Sequence, residues 1–546
     1  MTTIIASVVE GVLAIICPLR EPAVSPGVED AAGYNRDMAY QAVGSSTWTR
    51  ALARLAVLGV SGCSLLYNPD NIPSIDGKPP IDAPRPLDGR PDAEMIIDAN
   101  PAAVTVTDFE PSAIFEGTGD GSSRPEVLVV HGDNFVTGAT VTLAEMGGSG
   151  SGSAMPALEI LDDPAIVSAD HHTLAVRVIA HVDTTLAAGS TRMFAVEVTE
   201  PAGGSSASAS GSAMLIEQGL AELIGSAGSA IPLSGTATYS LVDITNGSIT
   251  VSGSNPIIVR STSSITVKPA VTVSATSTTV PGPAGNAPGA GSGAGGPGSS
   301  GGGGGGYGTK GGPGGGANGG TAGSLSGDPL ISSYGSNASS GGGAGAAVGG
   351  AGGGTVELTA AGTLSVGTIT SIGAAGSNAA LTGGGGGGGT GGTIVLRGTT
   401  VTTGTLTVTG GSGGTGGILS DTGGTGGDGR IRIDLSSTTF TPPTDGHQGL
   451  YFDNSIADTV LTTSTPSLQI DGAAGDKLAL YVLDSSGNLF MDGTNMYTYT
   501  IGLGQNVMAT PTLPDAVAYQ LCLTPVLGSF ATAEATNCIH VAYVPQ

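Results

Sequence analysis

The chain has 546 residues, 96 of them glycine, and its 43 acidic against 17 basic residues give a formal charge of −26. That length calls for several domains. The charge balance excludes nucleic acid as a partner, because a binder must neutralise phosphates with clustered Lys and Arg. It equally disfavours electrostatic attachment to anionic lipid.

The first 22 residues, MTTIIASVVEGVLAIICPLREP, hold an apolar tract broken by Glu10, followed by an acidic stretch containing Pro and Gly. They fit an export signal poorly, and residues 1–37 read as an extension ahead of the true start at Met38. Residues 38–62 fit well. Arg50 and Arg54 precede an apolar run of about ten residues, too short to span a bilayer as a helix but laid out as a signal peptide. Val60-Ser61-Gly62 stand directly before Cys63. This resembles the lipobox of bacterial lipoproteins, which implies that Cys63 is lipidated and becomes the first residue of the mature chain. Ser64 rather than Asp after the cysteine implies the outer membrane, with the protein lipid-anchored and surface-exposed. The alternative is a secreted protein in which Cys63 is a structural thiol.

Residues 63–103 are rich in Asp and Pro, which keeps a chain extended and solvated, so they are expected to be a tether. Asp76, Asp82 and Asp88 recur every six residues, but the compact Gly turn and bidentate Glu of a calcium loop are missing. Residues 104–201 carry short β-branched runs separated by Gly, Asp, Pro and Ser, the pattern of a β-sandwich. Phe109-Glu110-Pro111 ends the first run, Val127–Val130 lead into Gly132-Asp133-Asn134-Phe135, and Gly138-Ala139-Thr140-Val141 follows. This order resembles the IPT/TIG domain, an immunoglobulin-like module. Phe135 is then expected in the core, and Gly132 or Asn134 in the turn. His131, His171, His172 and His181 read as ordinary strand or loop residues.

Residues 235–440 follow another rule. Runs beginning at Thr355, Thr393 and Arg430 start 38 and 37 residues apart, and an earlier copy opens at Pro256. Each unit holds three short β-runs about six residues apart, such as Ile394–Leu396, Thr399–Thr402 and Leu406–Val408. A strand so short cannot bury its apolar side alone, so stacked copies are needed. The arrangement resembles a right-handed parallel β-helix. Between the runs lie glycine tracts, which composition alone assigns to flexible linkers. Their recurrence at matching points suggests excursions from one edge of the solenoid, ordered against one another in part. Substitutions within the tract 301–306 are expected to be nearly silent.

Residues 447–546 regain aromatics and alternate as antiparallel strands, which predicts a second small β-sandwich at the far end of the shaft. With Cys17 absent from the mature chain and Cys63 lipidated, Cys522 and Cys538 remain, and an exported protein would oxidise them. A metal site is the weaker option, because only His540 stands near the two thiols. The expected fold class is all-β: an immunoglobulin-like β-sandwich, a Gly-rich right-handed parallel β-helix and a C-terminal small β-sandwich.

No catalytic constellation stands out. Gly410-Gly411-Ser412-Gly413-Gly414 matches the nucleophile elbow in form, with no strand-to-helix context. A β-helix glycosidase or lyase would need paired carboxylates on one face. The nearest approach is Asp421 and Asp428, with Arg430 and a neighbouring coil's Glu357. The expectation is a non-catalytic structural or adhesive surface lipoprotein with no cofactor and no metal, held to the membrane by its lipid anchor and presenting modules to a cell-surface protein or glycan. One alternative is a carbohydrate-binding or polysaccharide-degrading surface protein, in which Tyr307, Tyr334 or C-terminal tyrosines replace the tryptophan that the mature chain lacks. Another is an envelope assembly component that binds other proteins by its exposed strand edges.

Overall fold

A computed structural model describes residues 103–146, 156–183, 185–201, 206–208, 214–287, 299–327, 347–435, 446–452, 460–484, 497–514, 517–526 and 537–546. Cys17, Met38, Cys63, nearly all of the tether, the Gly/Ser insertion at 147–153 and Tyr334 lie outside the described residues. The chain is all-β. No α-helix occurs among the described residues, whose helical content is a 3-10 turn at Asp120–Ser122 and the 3-10 residue Pro201.

The first module is two antiparallel-rich sheets. Thr105–Glu110, Glu126–Asp133, Thr173–Ala180 and Leu158–Ile160 line up in one; Ala113–Phe115, Leu215–Gln218, Thr191–Thr199 and Thr140–Glu145 line up in the other. Alternate side chains from both sheets, among them Phe109, Leu128, Val130, Leu174, Val176, Phe194 and Val196, close over one core. Phe135 is fully buried in it. Asn134 takes the left-handed turn conformation, φ 65°. A Cβ on Gly132 would fall 1.9 Å from the Thr105 carbonyl oxygen. Leu215–Gln218 carries this module beyond residue 201.

From Leu223 the pairing turns parallel. One ladder runs Thr236–Tyr239, Ile257–Ser261, Thr355–Ala360, Thr393–Gly398, Arg430–Leu435 and Gly446–Gln448. A second runs Leu223–Ile224, Val242–Ile244, Ile265–Val267, Thr363–Val366 and Thr400–Thr403, and a third Val271–Thr272, Ile369–Thr370 and Leu406–Thr407. The registers stack like on like: Ile257, Val356, Ile394 and Ile431 form one row, and Val259, Leu358, Leu396 and Ile433 the next. These rows belong to one continuous apolar core. No single run is long enough to fold by itself, so the core exists only through stacking.

The glycine tracts are structured wherever they are described. Segments 299–307, 308–316, 319–327, 347–354, 371–379, 383–392, 408–417 and 420–429 lie side by side and bond mainly through their backbones, with a few side chains such as Asn378 and Ser371 joining in. In 383–392, the N–H groups of Gly386, Gly389 and Gly392 donate to Ser377, Ala374 and Ser371 at 3.0, 2.9 and 3.1 Å. Those of Gly385, Gly388 and Gly391 donate to Asp421, Gly424 and Gly427 at 2.9, 2.8 and 3.1 Å. Its carbonyls accept from Gly411 and Gly414, from Gly302 and Gly305, and from Gly350 and Gly353. A donor to one neighbour thus recurs at every third residue, which is the period of a polyproline-II helix, a form with no internal hydrogen bonds. Every N–H and C=O is free to bond sideways.

Glycine is required by the spacing rather than by unusual dihedrals. A Cβ on Gly384, Gly385, Gly386 or Gly387 would lie 2.0 to 2.1 Å from a carbonyl oxygen of Ser300, Gly414, Val348 or Gly303. In the tract 301–306, a Cβ on Gly301, Gly303 or Gly304 would meet Thr422, Thr321 or Thr425 oxygens at 1.9, 2.0 and 1.8 Å. The expectation that this tract tolerates substitution is therefore overturned, because its glycines are packed backbone to backbone. Tyr307 pins the bundle to the first ladder. Its ring is fully buried, its hydroxyl lies 2.8 Å from Thr393 Oγ1, and the Arg430 guanidinium sits over it at 5.4 Å.

The third module pairs Val460–Leu461, Asn537–Tyr543, Ala518–Pro525, Lys477–Asp484 and Tyr497–Thr500 in one sheet, and Tyr451–Phe452, Ser467–Asp471 and Asn506–Ala509 in the other. Cys522 and Cys538 stand opposite each other on adjacent antiparallel strands and are joined by a disulfide. The module does not lie at a far end. Its Ala518, Ala542 and Val544 pack into a shared cluster with Val127, Val129 and Ala175 on the outer face of the first module. Arg124 Nη1 donates to the Cys538 carbonyl at 3.2 Å, the Ala518 N–H to Glu110 Oε1 at 2.9 Å, and Gln546 Nε2 to the Val167 carbonyl at 2.8 Å. The expected linear order of foot, shaft and distal tip gives way to a chain whose last module returns to its first.

Candidate functional site

The return of the third module creates a cleft where three parts of the fold meet. Phe115 and Glu126 come from the first module, Thr262 and Ala361 from corners of the parallel ladders, and Asp484, Tyr519, Gln520 and His540 from the third module. Its volume is about 490 Å³. The local sequence dictates the placement. Register sets Gln520 opposite His540, beside the Cys522–Cys538 pair and the Ala518–Ala542 pair. Alternation puts this row on the face turned to the first module, while Leu521, Ile539 and Val541 fill the module's own core.

In the cleft, His540 Nδ1 lies 2.7 Å from Glu126 Oε1, with the glutamate side chain only 13% exposed. Within the described residues, Glu126 Oε2 and the Gln520 amide make no hydrogen bond. Phe115 is 49% exposed, a large apolar surface left open at the rim. The ladder corner is held by Thr262 Oγ1, which donates to the Glu116 carbonyl, and by Ser263 Oγ, which donates to the Asp120 carbonyl at 3.3 Å.

The residues singled out for catalysis are separately engaged. Asp428 Oδ1 accepts the Gly410 N–H at 3.1 Å, and Asp421 packs against Gly315 and Gly316. Arg430 donates to the Ser326 and Gly327 carbonyls at 2.7 and 2.9 Å. Glu357 is fully buried and faces Arg397 at 3.3 Å and Arg260 at 3.7 Å. Beyond it, Arg397 Nε meets Asp434 Oδ2 at 2.9 Å, and Arg432 Nε meets Asp434 Oδ1 at 2.8 Å. These charges alternate along the first ladder as an ionic row that is buried from Glu357 to Asp434 and exposed at Arg260. The proposed tyrosine platform is not open: Tyr307 is sealed inside, and Tyr519 borders the cleft but is 3% exposed and packed in the third module's core.

The histidines are tied locally. His171 Nδ1 lies 2.7 Å from the Phe135 carbonyl, His172 Nδ1 2.8 Å from Asp133 and His181 Nε2 2.8 Å from Glu159. Among the described residues no group of three or more His, Cys, Asp or Glu side chains is arranged to hold a metal.

A second acidic cluster lies where the first module passes into the ladders. Glu116 and Glu217 are both fully buried. Glu116 accepts the Asp183 and Leu220 N–H groups at 2.7 and 3.0 Å. Glu217 has no hydrogen-bond partner among the described residues, and Arg192 Nη1 lies 3.6 Å from it. Burial pushes the Glu217 carboxyl up to about 7 against the pull of Arg192, and Glu116, Asp183 and Glu145 push the same way as burial. The carboxyl is neutral in both folded and unfolded chains below its ordinary value near 4.5. Between there and about 7 the unfolded chain ionises first, so stability falls as pH rises, by about 3 kcal/mol in all. Glu217→Gln should therefore raise the thermal midpoint at pH 8 and leave it unchanged at pH 4. Equal midpoints at pH 8 would count against this account.

No model of a known protein family matches the chain, and no curated protein is similar to it. The functional reading rests on the chain's own residues. Sequence reasoning passed over Phe115, Glu126 and Gln520. A signal for the junction was nonetheless present: Val127-Leu128-Val129-Val130 is apolar on both faces, which is the mark of a strand covered on both sides.

Proposed function

We propose that the protein is a non-catalytic structural or adhesive lipoprotein of the bacterial outer membrane, anchored through Cys63 and presenting its folded modules at the cell surface. On this reading the first module is an IPT/TIG immunoglobulin-like sandwich, the ladders are coils of a right-handed parallel β-helix, and the last module is a small β-sandwich. Support for the first comes from the Gly132–Phe135 turn and the two facing sheets. Support for the second comes from the three parallel ladders with their like-on-like rows.

The observation that carries the non-catalytic reading is the engagement of Glu357, Asp421, Asp428 and Arg430 in four different local structures. The repeat's other buried charges, Arg397, Arg432 and Asp434, pair with one another. The anchor rests on the Val60–Cys63 pattern. No helix among the described residues is long and apolar enough to cross a membrane.

Burying acyl chains contributes about 0.8 kcal/mol per CH₂, and stable attachment takes more than one chain, as a lipidated amino-terminal cysteine would carry. Cys63→Ser should shift the protein from the membrane fraction to the soluble fraction. Unchanged retention in the membrane fraction would remove the anchor from the proposal.

A further inference from the structure

We propose that the cleft between the three modules is a binding site for a neutral sugar. The inference supplies a ligand for the display reading, and its test does not pass through the lipid anchor. Three features of the cleft point to this chemistry.

The first is its polar inventory. Glu126 is only 13% exposed, and His540 engages one of its oxygens at 2.7 Å. The other oxygen keeps some access to solvent and has no donor among the described residues. A carboxylate oxygen accepts only, so a ligand hydroxyl could donate to it in place of water. The Gln520 amide, at the register position opposite His540, can donate and accept at once, as sugar hydroxyls require.

The second feature is the apolar wall. Phe115 is 49% exposed beside Pro111, Ala113 and Ile114. An aromatic surface flanked by hydrogen-bonding groups suits a pyranose, whose C–H face is apolar while its rim is polar. The third is charge and size. Among the described residues, two carboxylates, Glu126 and Asp484, line the cleft with a single histidine and no Lys or Arg, which disfavours phosphorylated or carboxylated ligands. The volume of about 490 Å³ falls within the ~300–1,000 Å³ of small-molecule sites.

The site is built by the fold and not by one strand. Phe115 and Glu126, Thr262, and Gln520 and His540 reach it from segments separated by hundreds of residues. Its presence therefore reports that the third module is docked.

The test is titration of the full-length chain with glucose, galactose, mannose and N-acetylglucosamine, followed by calorimetry and by saturation-transfer NMR. Putrescine, and the uronate of the sugar that binds best, serve as comparisons. At least one neutral sugar should bind in the millimolar range or tighter, with its uronate about ten-fold weaker. Phe115→Ala and Gln520→Ala should each weaken that binding about ten-fold while leaving the thermal midpoint within a few degrees, since both side chains reach solvent. Absence of sugar binding, binding unaffected by both substitutions, or binding of putrescine in place of sugars would each overturn the proposal. A protein that binds sugar yet stays membrane-bound as Cys63→Ser would refute the anchor and leave the cleft assignment intact. A chain released by that substitution but indifferent to sugars would do the reverse.

Discussion

Gly387→Ala should cost the fold more than about 3 kcal/mol, an unusually large penalty for one methyl group. The added Cβ would stand 2.0 Å from the Gly303 carbonyl oxygen, where an ordinary contact needs well over 3 Å. The obstacle is backbone, so no rotamer change can relieve it. Segment 299–307 would have to move away, and the bonds from Gly302 to Gly385 and from Gly305 to Gly388, at 2.9 and 3.0 Å, would stretch with it. Each is worth about 1 kcal/mol net and more if its groups stay buried without partners. Gly383→Ala is the matched control, because its nearest neighbour is the Ala379 Cβ at 3.2 Å. Hydrogen exchange should show segment 299–307 losing protection in the first variant and keeping it in the second. Comparable protection in both would mean that the bundle is looser than its contacts imply.

Asp434→Ala should be comparably damaging for an electrostatic reason. Asp434 is 1% exposed and serves two guanidiniums, those of Arg397 and Arg432, both also buried. Taking away one carboxylate from such a set leaves positive charge in a poorly hydrated interior, typically a loss of 3–5 kcal/mol. Arg260 at the start of the row is 48% exposed, and its 3.7 Å pairing with Glu357 is screened by water. Arg260→Ala should therefore change stability by no more than about 1 kcal/mol. Denaturant midpoints of the two variants, measured side by side, decide the matter. An Arg260→Ala loss equal to that of Asp434→Ala would remove the distinction drawn from burial.

The ladders were legible because their signal is apolar and periodic. Ile257, Val356, Ile394 and Ile431 announce a row that stacks, and the repeat near 37 residues announces the coil spacing. The Phe135 core position and its turn were legible for a similar reason, since one large side chain follows a Gly-Asp-Asn sequence. The bundle was not. Hydrophobic patterning carries no information in a run of glycines, and the feature that orders them, contact between backbones, has no side chain to mark it. Composition therefore argued for flexibility where the fold has close packing.

The cleft was hidden for another reason. Phe115, Thr262 and His540 are unremarkable in their own segments, and only the return of the third module brings them together. The apolar Val127–Val130 run showed that something covers that strand without showing what. In the ionic row, Glu357, Arg397 and Asp434 stood on outward-facing strand positions, where alternation alone assigns charges to solvent. The covering of that sheet could not be read from the alternation.

The bundle also sets rules for how its sequence can change length. Because a donor faces the same neighbour only at every third position, as in Gly386, Gly389 and Gly392, the tract has something like a reading frame. Inserting or deleting one or two residues turns every later N–H by a third or two-thirds of a revolution, toward a neighbour whose acceptors are already taken. A change of three restores the pairing one step along. Length variation within these segments is thus confined to whole triplets, while the turns at 317–318 and 380–382 escape the constraint. A region that composition would class as the freest in the chain is governed, residue by residue, by arithmetic.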